Sequence, residues 1–137
     1  MAVMHDRHPQ PFHLVVTGEA EAWRSALDKI IGQQWLTTTP VTNDHELVSV
    51  VRSGRADAAV LGDSAELGLD AMQLLRLVRR INALLPVVVI LGSVDRRRLE
   101  DAMRLTAFSV VSRPLQLEEL LRQVQRMMVR MNRMLRE

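Results

Sequence analysis

"PVVVIL", residues 86–91, decides the fold. After Pro86 come five aliphatic side chains with no polar position among them. A strand exposed on one face would alternate, so this one is expected to be buried on both faces, as in the centre of a parallel sheet. Downstream follow a helix around residues 95–105, the strand "FSVVS" (108–112), Pro114 and a last helix from about Gln116. Upstream, a helix from about Leu69 to Leu84 carries Met72, Leu75, Val78 and Leu84 among its apolar positions.

The same rhythm extends to the N-terminus. "FHLVVT" (12–17) is a β-branched run, and Trp23, Leu27, Ile30 and Ile31 then recur at helical spacing. "WLTTTPV" (35–41) reads as a strand whose Pro40 suits a sheet edge. "NDHELVSVVRSG" opens on Asn43 with Glu46 three residues on, a capping arrangement, and stops at Gly54. "ADAAVLG" (56–62) is the third strand. The order βαβαβαβαβα implies right-handed crossovers and a parallel sheet with helices on both faces. Five such units suit a flavodoxin-like α/β fold of strand order 2-1-3-4-5, whose site lies at the carboxyl ends of strands one and three. Here that means Thr17-Gly18-Glu19 and Gly62-Asp63.

Composition narrows the function classes. The 137 residues make a tail (1–11), one domain (12–125) and a C-terminal helical extension (126–137), with 47% hydrophobic and 25% charged residues. No apolar run approaches the roughly 20 residues of a membrane span, and "MAVMHDRHPQPF" lacks a signal-peptide core. Without cysteine there is no disulfide framework, and a cytoplasmic location is expected. The net charge of +2 conceals an asymmetry. Residues 1–75 carry five Lys/Arg against ten Asp/Glu, whereas residues 76–137 carry thirteen against six. A basic face of that kind suits an acidic partner or nucleic acid. Gly-rich phosphate loops, nucleophile elbows and paired-carboxylate spacings are absent, and His5, His8 and His13 lack further ligands at metal-binding spacing.

The stretches "LVVTGEAE", "ADAAVLGDSAELGLDAMQLLRLVRR", "LPVVVILGSVD" and "SVVSRPLQLEELL" resemble the receiver domain of bacterial response regulators over nearly the whole chain. The resemblance implies a phosphoacceptor aspartate after strand three and Mg²⁺ held by an acidic pair after strand one. That pair falls here on Thr17 and Gly18, with Glu19 one residue beyond. The family's Thr or Ser after strand four becomes Leu91, its lysine becomes Arg113, and its aromatic switch position becomes Val110. Counting back from "LGLDAMQLL" puts the acceptor on Asp63; counting forward from "ADAAVL" puts it on Gly62. Both alignments stand. The family pattern also implies a cis bond at Arg113–Pro114. With Thr17, Gly18, Gly62, Leu91 and Arg113 as a vestigial pocket, neither Mg²⁺ nor another cofactor is expected, and Asp63 reads as a remnant.

In the last helix Leu117, Leu121, Val124, Met128, Met131 and Leu135 alternate steps of four and three, the period of a coiled-coil seam. Val124, Met128, Met131 and Leu135 are therefore the expected homodimer interface. Arg122, Arg126, Arg130 and Arg133 beside them oppose a parallel pairing and leave the orientation open. The expectation is a non-catalytic pseudo-receiver, a signalling module acting through protein contacts and dimerisation. A protein partner, or an output domain after Glu137, would read it. Two alternatives are a working receiver that uses Asp63 in a two-component system and a nucleic-acid-binding regulator that uses the C-terminal arginines.

Overall fold

The computed structural model describes residues 10–92 and 95–136, with side chains described as far as Asn132. His5 and His8, and the side chains of Arg133 and Leu135, thus lie outside the described residues. Strand β1 (Phe12–Val16) leads through a 3₁₀ segment (Gly18–Trp23) into helix α1 (Arg24–Ile31). Then follow β2 (Leu36–Pro40), α2 (Asp44–Arg52), β3 (Ala58–Leu61), α3 (Ala71–Ile81), β4 (Val87–Leu91), α4 (Arg96–Arg104), β5 (Ser109–Ser112) and α5 (Leu117–Arg136). All pairings are parallel, in the order β2-β1-β3-β4-β5.

Strand β4 separates the two cores. Val87, Val89 and Leu91 join the layer formed with α2, α3 and Ala102 of α4. Val88 and Ile90 join the opposite layer, with Leu27 of α1 and Leu120, Val124 and Met127 of α5. Each of these aliphatic side chains contributes about 1.5–3 kcal/mol by leaving water, which fixes β4 as a middle strand. Pro40 ends β2 at the sheet edge, where its missing N–H breaks no ladder bond.

Local chemistry sets the helix boundaries. The Asn43 side chain accepts the Glu46 N–H at 2.8 Å, and the Glu46 carboxylate accepts from the N–H and hydroxyl of Thr42, each at 2.9 Å. Asp95 caps α4 through the Arg98 N–H at 2.8 Å. A full capping box, Asp70 with Gln73, starts α3 at Ala71 rather than at Leu69. The helix also ends three residues short of the expected Leu84. That residue is 88% exposed in the turn before β4, and its N–H donates to the Asn82 side chain. Arg79 then ties the α3 end to the turn after α4, donating to the carbonyls of Leu105 (2.6 Å), Asn82 (3.2 Å) and Thr106 (3.1 Å). Burial disfavours its charged form and lowers its pKa.

The last helix departs from the expected seam. Val124 is completely buried within its own domain, so it is not available to a second chain. Leu120 and Met127, absent from the seam, are buried with it, and Met128 and Met131 pack partly against the same cluster. A helix lying on a sheet buries a stripe about 100° wide, broader than a two-position coiled-coil seam. The domain core therefore continues along α5 past residue 125.

Candidate functional site

Strands β1 and β3 end side by side, and Thr17 joins them. Its hydroxyl donates to the Gly62 carbonyl at 2.8 Å and accepts the Gly62 N–H at 2.9 Å. Thr17 is fully buried, and its hydroxyl proton and one of its two lone pairs are used on Gly62. Gly18 follows with φ +67°, and a Cβ there would lie 2.6 Å from the Asp63 carbonyl oxygen. Backbone from the β3–α3 loop thus fills the space a side chain at position 18 would need.

That loop is closed on itself. Ser64 and Leu69 exchange backbone bonds (2.9 and 3.2 Å), and the Ser64 hydroxyl accepts the Leu67 N–H at 3.2 Å. The closure turns Asp63 toward the start of α3. Its Oδ1 accepts the Ala71 N–H at 2.9 Å, satisfying one of the free donors of a helix N-terminus. Its Oδ2 lies 3.4 Å from Nη2 of Arg113.

Arg113 leaves the end of β5, and its bond to Pro114 is cis. The guanidinium lies over Gly92, where any Cβ would collide with it. On its other side, Nε stands 3.6 Å from Oε1 of Glu19. Glu19 Oε2 accepts the Leu115 N–H at 3.0 Å. Oε1 is shielded from solvent and makes no hydrogen bond, leaving the Arg113 charge as its nearest compensation. Three elements far apart in sequence thereby meet in one ion triad: Glu19, Arg113 and Asp63.

Leu91, by contrast, points into the core with α3 and offers the site no hydroxyl. Val110 packs partly against that same core. In front of the triad opens a cleft of about 470 Å³, lined by Asp63, Asp70, Asp95 and Asp101 and by Arg76, Arg97, Arg98 and Arg113. Its charges balance, so net charge favours neither a cation nor an anion there.

The Mg²⁺ implied by the resemblance does not suit these donors. Thr17 spends its hydroxyl on Gly62, Gly18 has no side chain, and one oxygen of Asp63 is held by a backbone N–H. Mg²⁺ demands near-octahedral oxygen ligands, and among the described residues no three His, Asp or Glu side chains converge.

The sequence brings Thr17, Gly18, Gly62, Asp63 and Arg113 to one sheet edge, and the structure gathers all five there, with the buried Leu91 forming part of the apolar lining of the cleft. Glu19 is the member that sequence reading set aside. The strand-end rule places Glu19 at the site with Thr17 and Gly18, but nothing in the sequence pairs it with Arg113. The role of Gly92 as the floor beneath the guanidinium had no signal in sequence.

No protein-family model matches the chain, and no curated protein matches it by sequence. Solved structures do. The response regulator receiver domain protein (CheY-like) from Methanospirillum hungatei JF-1 is similar at a TM-score of 0.71 and 9% identity, over 90% of this chain and 98% of that one. The beryllofluoride-activated NtrC receiver domain is similar at 0.68 and 22%, over 89% and 98%. A two-component response regulator from Clostridium difficile is similar at 0.67 and 17%, over 88% and 98%. The chain has the receiver fold. Within that fold the ion triad lies at the carboxyl edge of β1, β3 and β5, where strand order reverses across the sheet and ligands of such folds bind. Among the described residues no helix is long and apolar enough to cross a membrane.

Proposed function

We propose that this receiver-fold chain is a non-catalytic signalling module that works through protein–protein contact and self-association in the cytoplasm, independently of an aspartyl phosphate. One observation carries the reading: the Arg113 guanidinium lies over Gly92 and compensates both Asp63 and Glu19. A phosphoacceptor site needs a metal cation and an open carboxylate. Here the chain's own cation faces the carboxylate, and a helix N–H takes the carboxylate's other oxygen. Catalysis of phosphoryl transfer rests on positioning and charge neutralisation, and the residues that would hold the metal are Thr17 and Gly18. Mg²⁺ binding should accordingly be no stronger than to an isolated surface carboxylate.

A working receiver is favoured by one feature only, the exposure of the Asp63 side chain (44%) at the mouth of the cleft. Acetyl phosphate or beryllofluoride with Mg²⁺ separates the two readings. Intact mass and amide NMR spectra should stay unchanged. A gain of one phosphate that Asp63→Asn abolishes overturns the proposal. Salt-dependent DNA or RNA binding tests the third reading, in which Arg126 and Arg130, both close to the Phe108 ring, form a basic face.

A further inference from the structure

Strand β2 has β1 on one side and no strand on the other. An open strand edge is a row of unpaired N–H and C=O groups that can receive another strand. Successive residues of a strand turn these groups to opposite sides. The Phe12 N–H donates to the Trp35 carbonyl at 2.8 Å, so Trp35, Thr37 and Thr39 face β1. Leu36, Thr38 and Pro40 therefore turn their backbone groups to the open side.

Each of the three is blunted in a different way. The Leu36 N–H is turned back into the preceding loop, where the Gly32 carbonyl accepts it at 3.1 Å. Pro40 has no N–H to offer. Thr38, between them, is covered by Arg24. Nη2 of Arg24 donates to the Thr38 carbonyl at 3.2 Å, and Nε donates to the Thr38 hydroxyl at 3.0 Å. The Thr38 N–H is the outward donor left open among the described residues.

Helix chemistry does not explain an arginine at position 24. Arg24 is the first residue of α1, whose first turn holds no acidic side chain, so its charge opposes the helix dipole. Among the described residues it also forms no ion pair. Its guanidinium is directed at the strand edge alone.

We infer that Arg24 is an edge guard, an inhibitory contact that keeps the open side of β2 closed to strand addition by the β2 of a second copy. With two such strands antiparallel and Thr38 opposite Thr38, each threonine donates its N–H to the other's carbonyl. That carbonyl is the one Arg24 holds. A second copy would also bring its own Arg24 to the same two-fold axis, setting like charges together. This device goes beyond the proposed function and lies apart from the ion triad, which β1, β3 and β5 carry.

The test is sedimentation of the full chain across roughly 1–300 µM, each variant read against the wild type. Arg24→Met keeps the aliphatic stem but removes the charge and the donors. It should tighten self-association about tenfold or more, the effect of two freed backbone bonds. Arg24→Gln, shorter and uncharged, should do the same. Adding Thr38→Pro removes the outward donor and breaks no bond to β1, so Arg24→Met/Thr38→Pro should return to the wild-type level. Arg79→Ala, which frees carbonyls away from β2, should leave association unchanged. Circular dichroism matching the wild type shows that the variants fold, and aggregation of an unfolded chain would not be cured by Thr38→Pro. Arginine variants that stay at the wild-type level, or an association that survives Thr38→Pro, overturn the inference. So does a wild type that Thr38→Pro alone dissociates, because its edge is then already open. None of these results bears on phosphorylation, which the beryllofluoride titration reads separately.

Discussion

The two ends of the sheet differ in what they leave unsatisfied. At the carboxyl end the polar groups answer one another: Thr17 with Gly62, Asp63 with Ala71 and Arg113, and Arg113 with Glu19. At the opposite end Trp35, Ile30 and Val129 are about half exposed among the described residues. The three charged groups of the triad compensate one another within the chain. Surface that still has free energy to gain from a partner lies at the other end, and it is apolar.

That contrast breaks first along α5, where buried and exposed apolar positions alternate. Val124→Glu or Met127→Glu puts a carboxylate into a fully buried site and should cost about 4 kcal/mol or more in urea denaturation. Val129→Glu should change monomer stability by less than about 0.5 kcal/mol. Equal costs would mean that the helix does not lie on the sheet by the face described.

At the polar end, Gly18→Ala meets both a positive φ and the Asp63 carbonyl, and should cost about 3 kcal/mol. Thr17→Val keeps the shape but leaves the Gly62 carbonyl without its hydroxyl donor, an expected loss of about 1–2 kcal/mol. A neutral outcome for both would remove the claim that backbone and hydroxyl close the site. Arg79→Ala loses three charge-assisted bonds to carbonyls and should cost about 2 kcal/mol, with no effect on association.

The ion triad itself should matter less to stability than to access. Arg113 pairs with two partly exposed carboxylates, so Arg113→Ala should cost under about 1 kcal/mol. If Mg²⁺ affinity in a calorimetric titration then rises well above that of a surface carboxylate, the triad rather than Thr17 and Gly18 is what excludes the metal.

The smallest effect concerns acid. The backbone N–H of Thr42, then its hydroxyl, hold the Glu46 carboxyl below its ordinary value of 4.5 in the folded protein. A depressed carboxyl stabilises the fold above its unfolded pKa and loses that contribution as pH falls through the folded one. Glu46→Gln should therefore flatten the acid limb of stability only below about pH 4.5. Because the group is on the surface, 0.5 M salt should shrink the difference further.

Much of this molecule is written locally. The five aliphatics of β4, the Asn43 and Asp95 caps and the edge proline of β2 depend on neighbours within a few residues, so periodicity and capping chemistry reveal them. The order of elements, with crossover handedness fixed by backbone chirality, then leaves a handful of sheet topologies, of which 2-1-3-4-5 suits five units. From that topology alone Thr17, Gly62, Asp63 and Arg113 fall at one edge. Contacts across long stretches of chain were decided only by the tertiary structure. Glu19 lies in the 3₁₀ segment Gly18–Trp23, and its carboxylate meets Arg113 from the end of β5 and the Leu115 N–H, partners more than 90 residues away in the chain. Gly92 supports the guanidinium because β4 and β5 end in register, Leu91 beside Ser112. Packing of α5 on the sheet from Leu117 to about Val124 was legible in the helical spacing; that the same core continues to Met127, with Met128 and Met131 packed partly against it, was decided by how α5 lays its wide apolar stripe on the sheet.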